Sequence, residues 1–233
     1  RKEGALFDLP LALGLLGAGE DEGKGKEKSL AKALKKTFLA GELGLDGRLR
    51  PVRGTIAIAE LAASVGARLI VPHSNLSEAR LVGGCRSFGV TTLKEAVAVA
   101  LGDSEGGEPC PASPPIGGSA ADLADVGGQP VAKRALEIAA AGGHHLLFLG
   151  PPGAGKTMLA KRLPGILPAL SEEEALTVTR IHSVAGLLTQ ADRLSLRRPF
   201  RAPHHSVSMA GLIGGGNPPQ PGELTLATHG VLF

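Results

Sequence analysis

Tryptophan and tyrosine are absent from this chain and only six phenylalanines are present, so it lacks the aromatic platform on which single-stranded nucleic-acid binders stack bases. Any contact with nucleic acid is therefore expected through the phosphate backbone. Cysteine is almost as scarce. Cys85 and Cys110 make no CxxC pair and no zinc-type spacing with histidine, which excludes a disulfide scaffold and fits a reducing, cytoplasmic compartment. Long hydrophobic runs are missing too: the longest, residues 9–18, contains Pro10 and Gly14 and falls well short of the ~20 residues of a membrane span. No membrane partner is expected. The first residue is Arg1 and not Met, so the natural start is expected upstream.

What is present suffices for a packed protein. A length of 233 residues with 43% hydrophobic content suits one large domain or two small ones. The net charge of +3 leans mildly toward an anionic partner, although mixed charge also describes an ordinary solvated surface. Composition breaks at residues 102–119, GDSEGGEPCPASPPIGGS, where Gly, Pro and Ser displace any apolar period. The expected organisation is a first domain over 1–104, a linker over 105–118 and a second domain over 119–233.

In the first domain residues 38–45 read as a strand, Asp46-Gly47 as a tight turn and 48–52 as the returning strand of a hairpin. Residues 56–65 have helical spacing and 68–71 form a short apolar strand. Asn75 with Glu78 and Thr92 with Glu95 have the spacing of capping boxes. Between Glu20 and Lys36 lies a charged stretch, Lys24, Lys26, Lys28, Lys32, Lys35 and Lys36 among them; Ser29 is a possible cap and Leu30, Leu34 and Phe38 recur at helical spacing. That stretch is a solvated helix face or a nucleic-acid patch. The first domain is α+β. After the linker, residues 129–141 read as helix, 145–149 as a buried strand, 156–163 as a helix ended by Pro164-Gly165, and Ser171 with Glu174 caps a helix to about Ser183. Strand, glycine-rich loop and helix open an α/β fold with a parallel sheet.

The chemistry concentrates in that loop. Gly150, Pro151, Pro152, Gly153, Ala154, Gly155, Lys156 and Thr157 satisfy G-x-x-x-x-G-K-T at every position. Gly153 and Gly155 let backbone N–H groups converge into a nest for phosphate. Lys156 supplies a point charge for the β- and γ-phosphates, and the Thr157 hydroxyl is placed to ligate Mg²⁺. ATP and Mg²⁺ are the expected cofactors, with Met158 beside them. Residues 122–128, DLADVGG, are either a plain turn or a wall for adenine through Val126 and Gly127.

The run of Asp125, Val126, Gly127, Gly128 and Gln129, the loop GPPGAGKT, the run RPFRAPHHS over 198–206, Gly214-Gly215-Gly216 and Pro221-Gly222-Glu223-Leu224 together resemble the magnesium-chelatase-like AAA+ ATPases, over essentially all of 122–233. RPFRAPHHS is the distinctive part. The resemblance implies an AAA+ P-loop NTPase fold and a hexameric ring of this chain with itself. Two branches of the family come into view: chelatase subunits that drive Mg²⁺ into a porphyrin, and the bacterial YifB or competence-M type associated with DNA branch migration. FLAGELG at 38–44 with GRLRPVRG at 47–54 resembles the Lon-protease-like domain that precedes the ATPase in the second branch, so DNA is the expected partner. An ATP-dependent protease is a third reading. Against it, no serine stands near residues 2–8 and apolar Ile56 occupies the approximate lysine position, leaving no nucleophile and no base for an acyl-enzyme.

By the same resemblance Val231, Leu232 and Phe233 form the Walker B strand, and the acids that hold Mg²⁺ are expected just after Phe233, so no catalytic residue is assigned within the chain. Arg193, Arg197, Arg198, Arg201, His204 and His205 form the densest basic cluster outside the lysines. It lines an interface, meets a DNA backbone, or braces a sheet edge. Adjacent His204 and His205 are expected to point in opposite directions on an extended segment, which disfavours a metal site. Residues 222–230 alternate apolar and polar and resemble the second arm of a hairpin that faces the pore in such motors, with 214–221 as its tip.

Overall fold

The computed structural model describes residues 5–19, 29–107, 121–188, 194, 196–217 and 219–233. The charged stretch at 20–28, the linker over 108–118 with Cys110, and Arg193 lie outside the described residues. Two compact units are present, one comprising Arg1–Ser113 with Ser183–Arg193 and the other Pro114–His182 with Leu194–Phe233. Among the described residues no helix is long and apolar enough to cross a membrane.

The first unit carries α1 (Asp8–Ala18), α2 (Leu30–Leu34), β1 (Thr37–Leu39), β2 (Glu42–Leu43), β3 (Leu49–Arg50), α3 (Thr55–Ser64), β4 (Arg68–Pro72), α4 (Leu76–Ala79), β5 (Arg86–Val90) and α5 (Leu93–Leu101). Its sheet is parallel in the order β1-β4-β5. The central strand β4 is an unbroken apolar run, with Leu69, Ile70 and Val71 fully buried, as a strand covered on both faces requires. Leu9 and Leu13 of α1, Leu30 of α2, Ile70, Val90 and Val99 share one core. Helix α5 starts where its sequence predicts: Thr92 Oγ1 accepts from the Glu95 N–H at 3.2 Å, and Gly102 closes the helix at φ 79°. The Glu95 carboxylate accepts from the Thr91 N–H and hydroxyl, both at 2.7 Å, and so stands one residue away from a reciprocal box.

Three local expectations need correction. The strand over 38–45 is two strands, because after Ala40 bonds Ile70 the chain changes partner: Gly41 donates to Leu6 O and accepts from the Leu9 N–H. A side chain at Gly41 would press on Leu9 and Leu49 at 3.3 Å. The hairpin survives in shorter form as β2–β3 around Gly47, whose φ is 75°. Asn75 stands at the N-cap position of α4 but makes no side-chain cap bond; its amide exchanges a pair of 2.9 Å bonds with the backbone N–H and C=O of Val52 and donates to Glu78. Ser29 makes no side-chain cap bond, and α2 is only five residues long. The first linker residues are also engaged, since the Gly107 N–H donates to Gly89 O at 2.8 Å. Because Asn75 is 5% exposed, Asn75→Ala strands both Val52 groups and should destabilise this unit by about 2–3 kcal/mol. Urea unfolding followed by far-UV circular dichroism measures it.

The second unit carries α6 (Pro130–Gly142), α7 (Lys156–Ala160), α8 (Leu163–Ile166), most of α9 (Glu172–Ala185), β6 (Phe200–Arg201), α10 (Met209–Ile213), β7 (Gly214–Gly215), β8 (Gln220–Pro221), α11 (Glu223–Leu226) and β9 (Val231–Leu232). Pro130 opens α6 and Gly143, at φ 63°, ends it. Leu123, Val126, Leu136 and Leu159 form a core on which Phe148, Leu163 and Ile166 pack. Strands β6 and β9 pair in parallel, and β7 with β8 is an antiparallel hairpin.

Here too the local reading shifts. Residues 145–149 precede the loop but belong to no strand and pair with no described segment; Leu147 and Leu149 are exposed. Residues 145–148 and the end of β9 line an open cavity of about 710 Å³. The helix expected over 156–163 stops at Ala160 and resumes as α8, with Pro164 in the first turn of the second piece. Proline lacks the N–H that an uninterrupted helix would need there. The alternation at 222–230 is not a strand. Gly222 N-caps α11, and the second hairpin arm is β8.

Candidate nucleotide site

The loop between residue 149 and α7 bends through two left-handed glycines, Gly153 at φ 81° and Gly155 at φ 80°. A Cβ at Gly153 would meet nothing within 4 Å, so conformation, not crowding, demands glycine there. The Lys156 ammonium donates to Gly150 O and to Pro151 O, each at 2.8 Å, which fastens its charge to the loop. Thr157 and Met158 stand exposed on the first turn of α7, while the next two residues, Leu159 and Ala160, are buried and hold that helix on the core. Gly150, Pro151, Pro152 and Gly153 are exposed and Ala154 is half-buried. An open loop with left-handed glycines and an attached cation fits a polyphosphate.

The segment at 122–128 packs beside the loop helix. Asp122 Oδ1 accepts from the Ala124 N–H at 2.9 Å and Asp125 accepts from the Asp122 N–H at 3.3 Å, closing a single 3-10 turn at Leu123–Asp125. Val126 is 2% exposed within the core, so its side chain is a packing group and its backbone is what it can offer a ligand. Gly127 is exposed, and Gly128 and Gln129 turn left-handed at φ 64° and 55°.

The basic cluster is largely committed to the protein itself. Arg198 donates to Pro168 O at 2.6 Å and to His229 O at 2.8 Å, and its third nitrogen lies 3.6 Å from Glu174. The same Glu174 carboxylate accepts from the Ser171 N–H at 3.0 Å, completing the expected capping box, and lies 3.4 Å from His229 Nδ1. His229 has φ 55°, a strained setting for a non-glycine residue, two residues before β9. Arg201 makes a two-pronged pair with Glu223, 2.6 Å at each contact. That hydrogen bonding, more than simple charge attraction and against the opposing effect of burial, raises the Arg201 pKa and lowers that of Glu223. A lowered carboxyl pKa means stability that is present above the ordinary value of 4.5 and is lost as pH falls through the folded-state value. Glu223→Gln should therefore be less stable than wild type at neutral pH and should converge with it under acid, as thermal melts across pH will show.

His204 and His205 do not point apart: their rings lie 4.0 Å centroid to centroid, because Ser206 engages His204 Nδ1 at 2.7 Å and turns the backbone. Among the described residues no group of three His, Cys, Asp or Glu is placed to hold a metal. Sequence reasoning gave Glu174 only a capping role and gave Glu223 and Arg162 none. Their distant partners lie 22 to 55 residues away, beyond any local pattern.

Family models place these features. "Magnesium chelatase, subunit ChlI" matches residues 122–233, and "Subunit ChlI of Mg-chelatase" matches residues 1–75. The second carries the chelatase name as well, so the first unit does not by name separate the two branches. Similarity over the whole chain is more specific. Competence protein ComM of Haemophilus influenzae and YifB of Escherichia coli are each 43% identical across all of this chain, and an uncharacterised protein of Mycobacterium tuberculosis is 47% identical. The chain spans 44 to 45% of the length of these relatives. It belongs to the magnesium-chelatase-like ATPase family of the YifB and ComM type.

Proposed function

We propose that the chain is the nucleotide-binding part of a cytoplasmic AAA+ motor that works as a ring of six copies and uses ATP hydrolysis to act on DNA. The observation that carries the nucleotide half is the loop at 150–157, with Gly153 and Gly155 left-handed and the Lys156 ammonium fastened at its rim. Backbone N–H groups of that loop hold the phosphates and Lys156 neutralises the β- and γ-oxygens. Thr157 would hold Mg²⁺, whose chemistry is to neutralise charge on the transferring phosphoryl group. Gly127 and the backbone of Val126 flank the base.

In this reading the domains are 1–104, a Lon-like fold without peptidase chemistry, a linker over 105–118, and the ATPase part from 119. Buried Ile56, an apolar side chain where a dyad lysine would stand, supports the loss of peptidase chemistry. The DNA half rests on resemblance to the competence branch, to which the Haemophilus competence protein belongs. Since Arg198 and Arg201 are tied to Glu174 and Glu223, these two arginines brace the sheet edge, and DNA phosphates meet other residues.

The chelatase name on both family models favours one rival, a motor subunit for metal insertion into a porphyrin. ATP hydrolysis by the full-length protein, assayed at low salt with and without single-stranded DNA, separates them. Stimulation by DNA is expected. Its absence, with stimulation by a porphyrin and its partner subunits instead, would transfer the protein to the rival class.

A further inference from the structure

We propose that Arg162 is a positioning residue for the base end of the nucleotide site, latching the segment at 122–128 to the phosphate-loop helix. Its Nε donates to Asp122 O and its Nη1 to Met158 O, both at 2.9 Å. Met158 belongs to α7, directly after Lys156 and Thr157; Asp122 is the first residue of the turn that leads to Val126 and Gly127. One guanidinium therefore joins a carbonyl on the phosphate side to a carbonyl on the base side, across 40 residues of sequence.

The segment is also held by packing. Leu123 and Val126 are sunk in the core with Leu136 and Leu159, and Gln129, left-handed at φ 55°, turns the chain into α6. Between Val126 and Gln129, Gly127 and Gly128 lack any side chain to hold them, so their position follows from the turn that begins at Asp122 and packs through Leu123 and Val126. Asp122 cannot set it alone: its side chain is spent on the Ala124 N–H inside the turn. The Arg162 bond adds a polar tie to that turn's first carbonyl, which also accepts from the Asp125 N–H at 3.2 Å. A planar guanidinium holds its donors at a fixed spacing and at fixed angles, which the point charge of a lysine ammonium does not reproduce.

This inference rests on the nucleotide reading above, and its test keeps the two separate. Binding of Mg-ATP and of inorganic tripolyphosphate is titrated on full-length wild type, Arg162→Ala and Arg162→Lys. Tripolyphosphate reports the loop alone; ATP reports loop and base segment together. The expected result is about tenfold weaker ATP binding for Arg162→Ala, an intermediate loss for Arg162→Lys, and unchanged tripolyphosphate binding. In steady state KM for ATP rises and kcat stays constant. Equal loss of both ligands would make Arg162 a residue of the fold and overturn the proposal, as would a fall in kcat at constant KM or an unaltered ATP affinity. Wild-type protein that binds neither ligand would overturn the nucleotide reading itself, and the latch with it.

Discussion

Lys156→Ala in the full-length protein is expected to lower ATP turnover by at least about a hundredfold, on the scale of removing one preorganised charge from a transition state. The side chain carries the cation of the phosphate loop, and its two protein contacts are carbonyls of exposed Gly150 and Pro151. Water replaces those contacts when the ammonium is removed, so folding stability should change by no more than about 0.5 kcal/mol. Loss of turnover without loss of stability is the signature of a binding group. Lys156→Arg should not restore activity, because a planar guanidinium is a larger and differently aimed donor than a compact ammonium. Phosphate release and a thermal melt on the same preparations check both halves, and near-wild-type turnover in Lys156→Ala would remove the loop from the mechanism.

The second large effect falls on stability. Glu174 accepts from the Ser171 N–H at the start of α9, pairs with Arg198, and faces the ring of His229. Arg198, only 16% exposed in its side chain, would keep its carbonyl partners but lose its counter-charge. Removing a cap costs about 1 kcal/mol and stranding a partly buried charge adds to it, so Glu174→Ala should destabilise the second unit by about 3 kcal/mol. Glu174→Gln keeps an acceptor for Ser171 without the charge and should fall between. A further consequence reaches β9, since the carbonyl of left-handed His229 is held by Arg198. Chemical denaturation of the three proteins orders them, and equal stability of Glu174→Ala and wild type would show that the cluster is only incidental.

What the sequence made legible was whatever a short stretch decides by itself. Thr92 with Glu95 and Ser171 with Glu174 start helices because their bonds span three or four residues; the buried run of β4 and the left-handed glycines of the loop are equally local. Tertiary partners decided the remainder. Glu223, Leu224, Thr225 and Leu226 alternate as a strand does, yet Gly222 caps them into a turn of helix and Arg201 grips Glu223 from 22 residues away. Asn75 and Glu78 have capping spacing, but Val52 claims the amide of Asn75. Residues 145–149 are apolar enough for a strand and have no described neighbour with which to pair. The bend of the loop could be read in advance because its glycines stand close together in sequence; the clasp around Glu174 and the contacts of Arg162 could not.

Calorimetric titration of the full-length protein with Mg-ATP, inorganic tripolyphosphate and adenosine tests the central claim most directly. A site built on the backbone of residues 150–157 and the Lys156 charge predicts saturable binding of Mg-ATP at one site per chain, competition by tripolyphosphate, and no measurable binding of adenosine, all abolished in Lys156→Ala. Adenosine binding as tight as that of ATP, or ATP binding indifferent to both tripolyphosphate and Lys156, would contradict it.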